Sequence, residues 1–262
     1  MDLGLKGKRA LVMGASKGLG RSIADALAAE GVAIAVSGRE QASLDVVAQA
    51  LLALGAEKAV GIPADVASGA DMDKLADAAV AALGGVDILV LNHGGPPPCT
   101  ALDMTEADLV IWFQRIVLSP IRIAMRLLPA MRAQKFGRII TIGSAGMQQP
   151  LPNLALSNTL RAAMVGWNKT LSNEVAAEGI TCNIMAPGPI VTDRTRQMAT
   201  GQATKEGRSV EEVIAERGKT IPAGRFGAAD EFGPLGAFLA SPKAAYITGS
   251  VMRVEGGMVK HV

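Results

Sequence analysis

The chain of 262 residues is long enough for one large domain with a well-buried core, and its 49% of hydrophobic and 19% of charged residues exclude a disordered protein. The net charge of +2 is too small to suggest nucleic acid or a membrane surface as partner, and no apolar run reaches the length of a membrane span. The first residues show no signal-peptide pattern, and Cys99 and Cys182 are isolated and lack metal-type spacing. We therefore predict a soluble, cytoplasmic protein without a metal site that binds neither nucleic acid nor membrane.

Short apolar runs alternate with helical patterns along the chain. The apolar runs predict strands at 9–13, 32–36, 59–62, 86–91, 138–142, 180–184 and 250–254. The helical patterns predict a helix after the glycines at 14–20 and further helices at 43–54, 71–83, 105–134, 153–178 and 228–240. A kink is expected at Pro120, which lacks a backbone donor, and the polar residues 192–222 predict short helices. The alternation indicates βαβ units, so we predict one α/β domain, 1–262, with a doubly wound parallel sheet and helices on both faces.

Three glycines follow the first predicted strand at the spacing Gly-x-x-x-Gly-x-Gly. Gly14, Gly18 and Gly20 let the backbone turn sharply and approach a ligand, and the next helix directs its unpaired N–H groups and positive dipole end at an anion. The register differs from the Gly-x-Gly-x-x-Gly fingerprint, because Ile23 stands where its third glycine would fall. The turn predicts a phosphate cradle, and an ordinary strand-to-helix turn is the alternative.

The end of the second predicted strand decides between the two nicotinamide cofactors. In dinucleotide folds an acidic residue there binds the ribose 2′-OH of NAD, whereas a basic residue accommodates the 2′-phosphate of NADP. Arg39 stands at this place, and Lys17 inside the glycine turn adds a second cation. The two cations favour NADP(H) over NAD(H), and two solvated surface charges are the alternative interpretation.

These motifs, taken in order, resemble those of the short-chain dehydrogenase/reductase family over nearly the whole chain. The glycine turn matches the family's motif, although Met13 stands where threonine is usual, and Leu91-Asn92-His93-Gly94 matches Asn-Asn-Ala-Gly in its second and fourth residues. Asp65-Val66 matches the adenine-contacting pair, and Pro187-Gly188-Pro189-Ile190-Val191-Thr192 resembles the Pro-Gly motif that positions the nicotinamide amide. The segments 247–249 and 255–257 resemble the end of the carrier-protein 3-oxoacyl reductase branch.

The resemblance implies a single-domain Rossmann fold with a seven-stranded parallel sheet. It also implies a homodimer or homotetramer joined through the two long helices, a small-molecule substrate, and a substrate lid over about 192–222. The cofactor-binding residues that it implies, together with those predicted above, are Gly14, Ser16, Lys17, Gly18, Leu19, Gly20, Arg39, Asp65, Val66, Asn92, Gly94, Arg161, Pro187, Gly188, Ile190 and Thr192.

The family's catalytic residues carry over only in part. The family uses a serine, a Tyr-x-x-x-Lys pair and an asparagine that holds a relay water, and here Ser144 matches the serine. Ser157 replaces the tyrosine, Arg161 the lysine and Ile116 the asparagine. The loss does not depend on alignment, because the single tyrosine, at position 246, is followed four residues later by serine.

The replacements change the expected chemistry. Ser157 is a much weaker acid than tyrosine, whereas Arg161 stays charged and can clamp ribose hydroxyls or stabilise a developing alkoxide. The two residues lie four apart and so share one helix face, with Ser144 as the third candidate catalytic residue. His93, in the loop after the fourth strand, could relay a proton, but we favour a packed or solvent-facing histidine. The mixed charges of the lid favour a solvated face over a site for an acidic substrate tail.

Three hypotheses remain open. The first, which we favour, is an atypical NADP-dependent oxidoreductase acting on an unidentified carbonyl or alcohol, with a 3-oxoacyl thioester as one candidate. The second is a cofactor-binding homologue with little or no activity, acting as a sensor or a partner subunit. The third is an enzyme that uses the same pocket for non-redox chemistry.

Overall fold

The computed structural model describes residues 2–261, which form seven strands in one sheet. All neighbouring strands are parallel, and their order is β3-β2-β1-β4-β5-β6-β7. This arrangement confirms the predicted doubly wound sheet. The strands are β1 (Arg9–Val12), β2 (Ala33–Gly38), β3 (Lys58–Pro63), β4 (Ile88–Leu91), β5 (Gly137–Ile142), β6 (Ile180–Pro187) and β7 (Val251–Val254).

Helices cover both faces of the sheet because its strands are apolar on both sides. The helices are α1 (Gly18–Ala29), α2 (Gln41–Ala53), α3 (Gly69–Leu83), α4 (Glu106–Phe113), α5 (Ser119–Ala133), α6 (Ala155–Val175), α7 (Asp193–Glu206), α8 (Val210–Gly218) and α9 (Gly233–Ala240). Ala10 and Val12 of β1 join a buried layer with α1 and α9, whereas Leu11 between them joins a second layer with α3 and α5.

The long helix predicted at 105–134 is interrupted by a wide turn. Between α4 and α5 the residues Gln114–Leu118 form a π-helical turn, and the N–H of Ser119 bonds the carbonyl of Gln114, five residues back. Pro120 follows in the first turn of α5, where a missing N–H is tolerated. The interruption that the structure shows therefore lies at Gln114–Leu118, just before the proline at which a kink was expected.

Two other predicted helices begin or end differently. The helix expected at 153–178 begins at Ala155 and closes in a tighter 3₁₀ turn, Ala176–Glu178. The helix expected at 228–240 is a 3₁₀ turn, Ala229–Glu231, followed by α9, whose first turn contains proline. That proline cannot donate to a preceding carbonyl, so the two pieces do not merge into one helix. Within residues 2–261, no helix is long and apolar enough to cross a membrane.

The strand order reverses between β1 and β4, which are neighbours in the sheet although β2 and β3 lie between them in the chain. In open α/β sheets, ligands bind beside such a point, outside the carboxyl ends of the strands. The glycine turn follows β1, and the loop that begins at Asn92 follows β4. Both predicted motifs therefore lie at the position where a ligand is expected.

Candidate active site

The glycine turn is held in shape by Asn92. Its side-chain amide donates a 2.9 Å hydrogen bond to the carbonyl of Gly14. Gly14 and Gly18 have positive φ values of 56° and 64°, which L side chains rarely adopt. A Cβ on Gly20 would lie 2.5 Å from the Gly14 carbonyl oxygen and 2.6 Å from Nδ2 of Asn92. Glycine at these positions is thus required by the backbone and by the approach of Asn92.

The N-terminus of α1 is open toward the space above the glycine turn. Lys17 precedes the helix and makes no side-chain cap, and the first turn of α1 contains no acidic residue. The first N–H groups of the helix are therefore left for a ligand, and their dipole favours an anion. Leu19 packs partly buried against the apolar layer and anchors this turn. The cradle fits a dinucleotide pyrophosphate.

The two cations proposed for the 2′-phosphate have different surroundings. Arg39 is exposed at the end of β2, and no carboxylate in residues 2–261 forms an ion pair with it. Ser16 lies beside this strand end, since its Oγ is 3.6 Å from where a Cβ on Gly38 would stand. Lys17 instead pairs with Asp193 at 3.1 Å. Arg39 is therefore the unpaired cation of the two, and Lys17 joins the glycine turn to α7 through an exposed ion pair.

The predicted adenine-side residues follow β3. Oδ1 of Asp65 accepts a 2.9 Å hydrogen bond from the N–H of Ala67, which fixes a tight turn and leaves Oδ2 without a side-chain partner in the described chain. Val66 is partly buried and packs against the second apolar layer, which contains α3 and α5, and its carbonyl accepts a hydrogen bond from the Ser119 hydroxyl at 2.7 Å. The pair therefore lies at the same sheet edge as Arg39, one strand further out.

The Pro-Gly motif forms the opposite wall. Pro187 ends β6, and the N–H of Gly188 bonds the carbonyl of Val254 at 3.0 Å. A Cβ on Gly188 would lie 2.6 Å from the Cβ of Glu255, so the close approach requires glycine. Ile190 is buried, and Thr192 caps α7 by accepting the N–H of Thr195. The motif thus sets where the lid helix begins.

Three candidate catalytic residues lie at the carboxyl end of β5. Arg161 is 8% exposed, and its Nη1 donates a 2.7 Å hydrogen bond to the carbonyl of Ile142, the last residue of β5. Oγ of Ser144 accepts the N–H of Gly146 at 3.1 Å, so its own proton is free to bond another oxygen. Ser157 lies one turn before Arg161 on α6, half-buried and without a side-chain hydrogen bond in the described chain. The structure thus places Ser144 and the Arg161 guanidinium at the end of β5, with Ser157 one turn earlier on α6.

Ile116 leaves no room for a polar relay. It is fully buried in the π-helical turn and packs in an apolar cluster with Leu156, Leu160 and Met164. A water held at this place would need polar partners, which an isoleucine side chain does not provide. The Ile116 side chain therefore cannot take the part in a proton relay that the asparagine side chain would take.

His93 is half-buried in the loop after β4 and is neutral. Burial, together with the positive charges of Arg161 and Arg194, lowers its pKa from 6.5 to about 3. Its Nδ1 lies 2.9 Å from the carbonyl of Gly94, an exposed residue, so Nδ1 carries the hydrogen and Nε2 is the free acceptor. The packed histidine that we favoured from the sequence fits these contacts, and a histidine cation that donates a proton at neutral pH does not.

Arg194 was missed as a site residue because its charge was counted among those of a solvated lid. Its Nη1 and Nη2 donate to the carbonyls of Gly95 and Pro96 at 3.0 and 2.7 Å, across the cleft from α7 to the β4 loop. A Cβ on Gly95 would lie 3.0 Å from Nη2, so the loop needs glycine where the guanidinium passes. The sequence signal that could have identified Arg194 is its position two residues after the end of the Pro-Gly motif.

The two cysteines are unpaired thiols. Cys182 is buried in β6, and burial raises its pKa to about 12, while Cys99 is partly exposed. Within the described chain, no group of three His, Cys, Asp or Glu residues is arranged to hold a metal ion.

A family model described as enoyl-(acyl carrier protein) reductase matches residues 14–259. The chain is 35% identical to the 3-oxoacyl-(acyl-carrier-protein) reductase FabG of Escherichia coli over 256 residues, which are 98% of this chain and 99% of the relative. The match therefore runs through the glycine turn, the catalytic positions and the lid.

Two solved structures have the same fold. L-Sorbose reductase from Gluconobacter frateurii, complexed with NADPH and L-sorbose, superposes with a TM-score of 0.96 at 31% identity and covers 100% of both chains. A 3-oxoacyl (acyl-carrier-protein) reductase from Agrobacterium tumefaciens with NADP bound gives a TM-score of 0.89 at 28% identity and covers 98% of this chain and 96% of its own. The likeness extends over the whole chain and includes the lid.

Proposed function

Because the chain belongs to the short-chain dehydrogenase/reductase family, we propose that it is an atypical NADP(H)-dependent oxidoreductase that acts on a carbonyl or alcohol substrate. The observation that carries this proposal is the retained cradle, in which Asn92 bonds Gly14 and the start of α1 is left open. The Pro-Gly motif, which the family uses to orient the nicotinamide, is also retained and supports the proposal.

The choice of NADP(H) over NAD(H) is supported by Arg39. It is the exposed cation at the end of β2, and its guanidinium fork suits a 2′-phosphate, which a carboxylate there would repel. Two structural neighbours were solved with NADPH or NADP bound, at 31% and 28% identity. Asp65, one strand further out, would face the adenine side.

Carbonyl reduction requires a hydride at the carbonyl carbon and a proton at the carbonyl oxygen. A bound nicotinamide supplies the hydride. Ser144 would donate its free hydroxyl proton as a hydrogen bond to the carbonyl oxygen, since Oγ already accepts from Gly146. The buried Arg161 guanidinium would stabilise the negative charge that develops on that oxygen, in a place where water screens it little. Ser157 would pass the proton from solvent.

The same residues make a slow reaction the expectation. A positioned general acid contributes about 10²–10⁴-fold to such a reaction. Ser157 is a poor acid, and Ile116 provides no relay. Without a general acid, the remaining rate acceleration comes from the positioning of the substrate and from the charge of Arg161.

A second candidate function is a cofactor-binding protein with little turnover, acting as a sensor or partner subunit. The burial of Ile116 in an apolar cluster favours it, because the substitution fills the relay site instead of replacing its chemistry. Non-redox chemistry in the same pocket is a further candidate, but no contact described above favours it.

Turnover separates these candidates. NADPH and NADH are titrated first, and the NADPH-loaded protein is then screened against a carbonyl panel that includes a 3-oxoacyl thioester, the substrate class in the name of the Escherichia coli relative. The proposal expects slow NADPH oxidation with at least one carbonyl. The double variant Ser157→Tyr/Arg161→Lys is expected to raise the rate. Tight NADPH binding with no turnover in either protein would favour the second candidate, and failure to bind either cofactor would defeat both.

We also propose a cytoplasmic homodimer or homotetramer joined through the two long helices. The α4–α5 segment exposes several large apolar side chains, among them Val110 and Ile111 at 64% and 50%. Small residues, including Ala162, Ala163 and Gly166, line the exposed side of α6, which packs beside α4. Contiguous apolar patches on a protein surface mark interaction sites, and a second copy of this chain is the occupant that we propose.

A further inference from the structure

Two arginines and one neutral histidine meet at the carboxyl ends of β4 and β5. Arg161 is anchored to the end of β5, and Arg194 reaches from α7 to the β4 loop that also carries His93. Leu91 of β4 is in register with Thr141 of β5, so the loop that carries His93 begins beside Ile142, whose carbonyl Arg161 bonds. The charge of Arg194 lowers the pKa of both Arg161 and His93, in agreement with this placement. This arrangement concentrates positive charge where the substrate is expected.

No carboxylate of the described chain neutralises this charge. Arg161 is buried, and its side chain bonds one backbone carbonyl, while Arg194 bonds two backbone carbonyls. The carboxylate next to Arg194 in sequence, Asp193, pairs with Lys17. Arg194 is exposed and can be hydrated, whereas Arg161 is a buried charge without an ionic partner, and such a charge loses its hydration without compensation.

The other lid arginines have different partners. Arg196 pairs with Glu211, Arg208 pairs with Glu206 and Glu216, and Arg217 bonds the amide oxygen of Gln202. Arg194 differs from these three because it reaches from the lid to the loop after β4, where it bonds only backbone carbonyls. Arg161 and Arg194 therefore leave positive charge in the cleft to which an anion can bind.

His93 does not compensate for the positive charge. Its Nδ1–H is engaged by the Gly94 carbonyl, and its free Nε2 is an acceptor. A neutral acceptor adds no negative charge, but it can accept a hydrogen bond from a hydroxyl group. The cluster offers positive donors for an anion and one acceptor for an alcohol.

We propose that Arg161 and Arg194 bind a carboxylate of the substrate, so that the carbonyl compound is an oxo acid. This assignment rests on the proposed reductase function, which places the reacting carbonyl at Ser144. Arg161 bonds the residue two positions before Ser144, so the carboxylate lies close to the carbonyl, as in a 2-oxo or 3-oxo acid. The planar guanidinium fork matches a carboxylate in geometry as well as in charge.

A phosphate of the cofactor is the other source of negative charge. The cradle and Arg39 follow β1 and β2, whereas the arginine cluster follows β4 and β5, on the other side of the point where the strand order reverses. This separation favours the substrate over the cofactor. The two sources are told apart by measuring NADP⁺ affinity alongside acid affinity.

The test compares the binding of oxo acids and of their neutral esters to the protein loaded with NADP⁺. Neither NADP⁺ nor the oxo compound can donate a hydride, so no reaction disturbs the binding measurement. Pyruvate and acetoacetate are titrated by calorimetry beside ethyl pyruvate and ethyl acetoacetate. At least one acid is expected to bind about tenfold or more tightly than its ester. Arg194→Met should remove this preference, and Arg196→Met, a control two residues further along α7, should keep it.

Each other outcome has a defined meaning. Equal binding of acids and esters overturns the proposal. Arg194→Met weakening acid and ester by the same factor also overturns it, because the arginine then only positions the lid. A matching loss of NADP⁺ affinity in Arg194→Met assigns the arginine to a cofactor phosphate and overturns it too. Failure of the unmodified protein to bind NADP⁺ counts against the proposed function instead.

Discussion

The side-chain amide of Asn92 donates a 2.9 Å hydrogen bond to the carbonyl of Gly14, and this bond joins the loops after β4 and β1. These two strands are neighbours at the point where the strand order reverses. The bond fixes the glycine turn from the side opposite the expected pyrophosphate. Asn92 is therefore a positioning residue for the cradle, and the surroundings of Gly20 depend on it.

Gly20→Ala should disrupt the cradle. The new Cβ would stand 2.5 Å from the Gly14 oxygen and 2.6 Å from the Asn92 amide, so the bond between them must break or shift. We expect a loss of about 1–3 kcal/mol in the free energy of unfolding and weaker NADPH binding, measured by denaturation and fluorescence titration. Gly201→Ala is the matched control, because its Cβ on α7 would meet nothing within 4 Å. It should raise stability by about 0.5–1 kcal/mol. If the two substitutions changed stability and NADPH affinity equally, the proposed role of the glycine turn as a cradle would be contradicted.

Arg39→Asp should exchange the cofactor preference. The variant loses the guanidinium at the end of β2 and gains a carboxylate, which repels a 2′-phosphate and can bond a ribose 2′-OH. NADPH affinity should fall about tenfold or more, because hydrogen bonds to charged groups are worth about 1.5–3 kcal/mol, while NADH affinity is kept or improved. Lys74→Asp makes the same charge change on the exposed side of α3 and should not change the ratio of NADPH to NADH affinity. An unmodified protein with equal affinity for both cofactors would argue against this role of Arg39.

His93 makes stability depend on pH in a predictable direction. Its pKa is about 3 in the folded protein and 6.5 as the ordinary value, so between these values the unfolded chain binds a proton that the folded chain does not. The free energy of unfolding should therefore fall as the pH drops through this window. His93→Asn should flatten that dependence, measured by urea denaturation at about pH 7 and about pH 5. His261→Asn, at an exposed position, should leave the pH dependence of the free energy of unfolding unchanged. If His93→Asn also leaves this dependence unchanged, the lowered pKa of His93 is contradicted.

Ile111→Glu should break the proposed assembly. It places a charge in the exposed apolar patch of α4, where burial against a second copy would leave it unpaired. Light scattering after size-exclusion chromatography should show a smaller particle than for the unmodified protein. Val46→Glu is the control, since Val46 is 71% exposed on α2, away from the long helices. A monomeric unmodified protein, or an unchanged mass in Ile111→Glu, would rule out this interface.

Much of the fold follows from sequence because it depends on local chemistry. Apolar runs such as Ile88–Leu91 are buried on both faces, so they predict strands of a covered parallel sheet. The irregularity at Pro120 was also expected, because proline removes a donor wherever it stands. The form it takes, a bond from Ser119 to Gln114, depends on how α4 and α5 pack and has no sequence signal.

The site was less predictable because its charges are decided by long-range contacts. Lys17 was predicted to contact a phosphate, and the structure adds an exposed ion pair with Asp193, which lies far away in sequence. Arg194 was counted with the solvated lid, although it bonds the loop after β4. Both contacts exist only because α7 crosses the cleft, and no spacing along the chain encodes that crossing.

The most direct test of the proposed activity follows the hydride itself. The protein is incubated with NADPH deuterated at its transferable position and with pyruvate, acetoacetate, their ethyl esters and a 3-oxoacyl thioester, and the products are analysed by mass spectrometry. An oxidoreductase must place deuterium on the carbinol carbon of at least one product, and the arginine cluster predicts that an acid is labelled more than its ester. Bound NADPH with no deuterium in any product would contradict the assignment of this chain as an oxidoreductase.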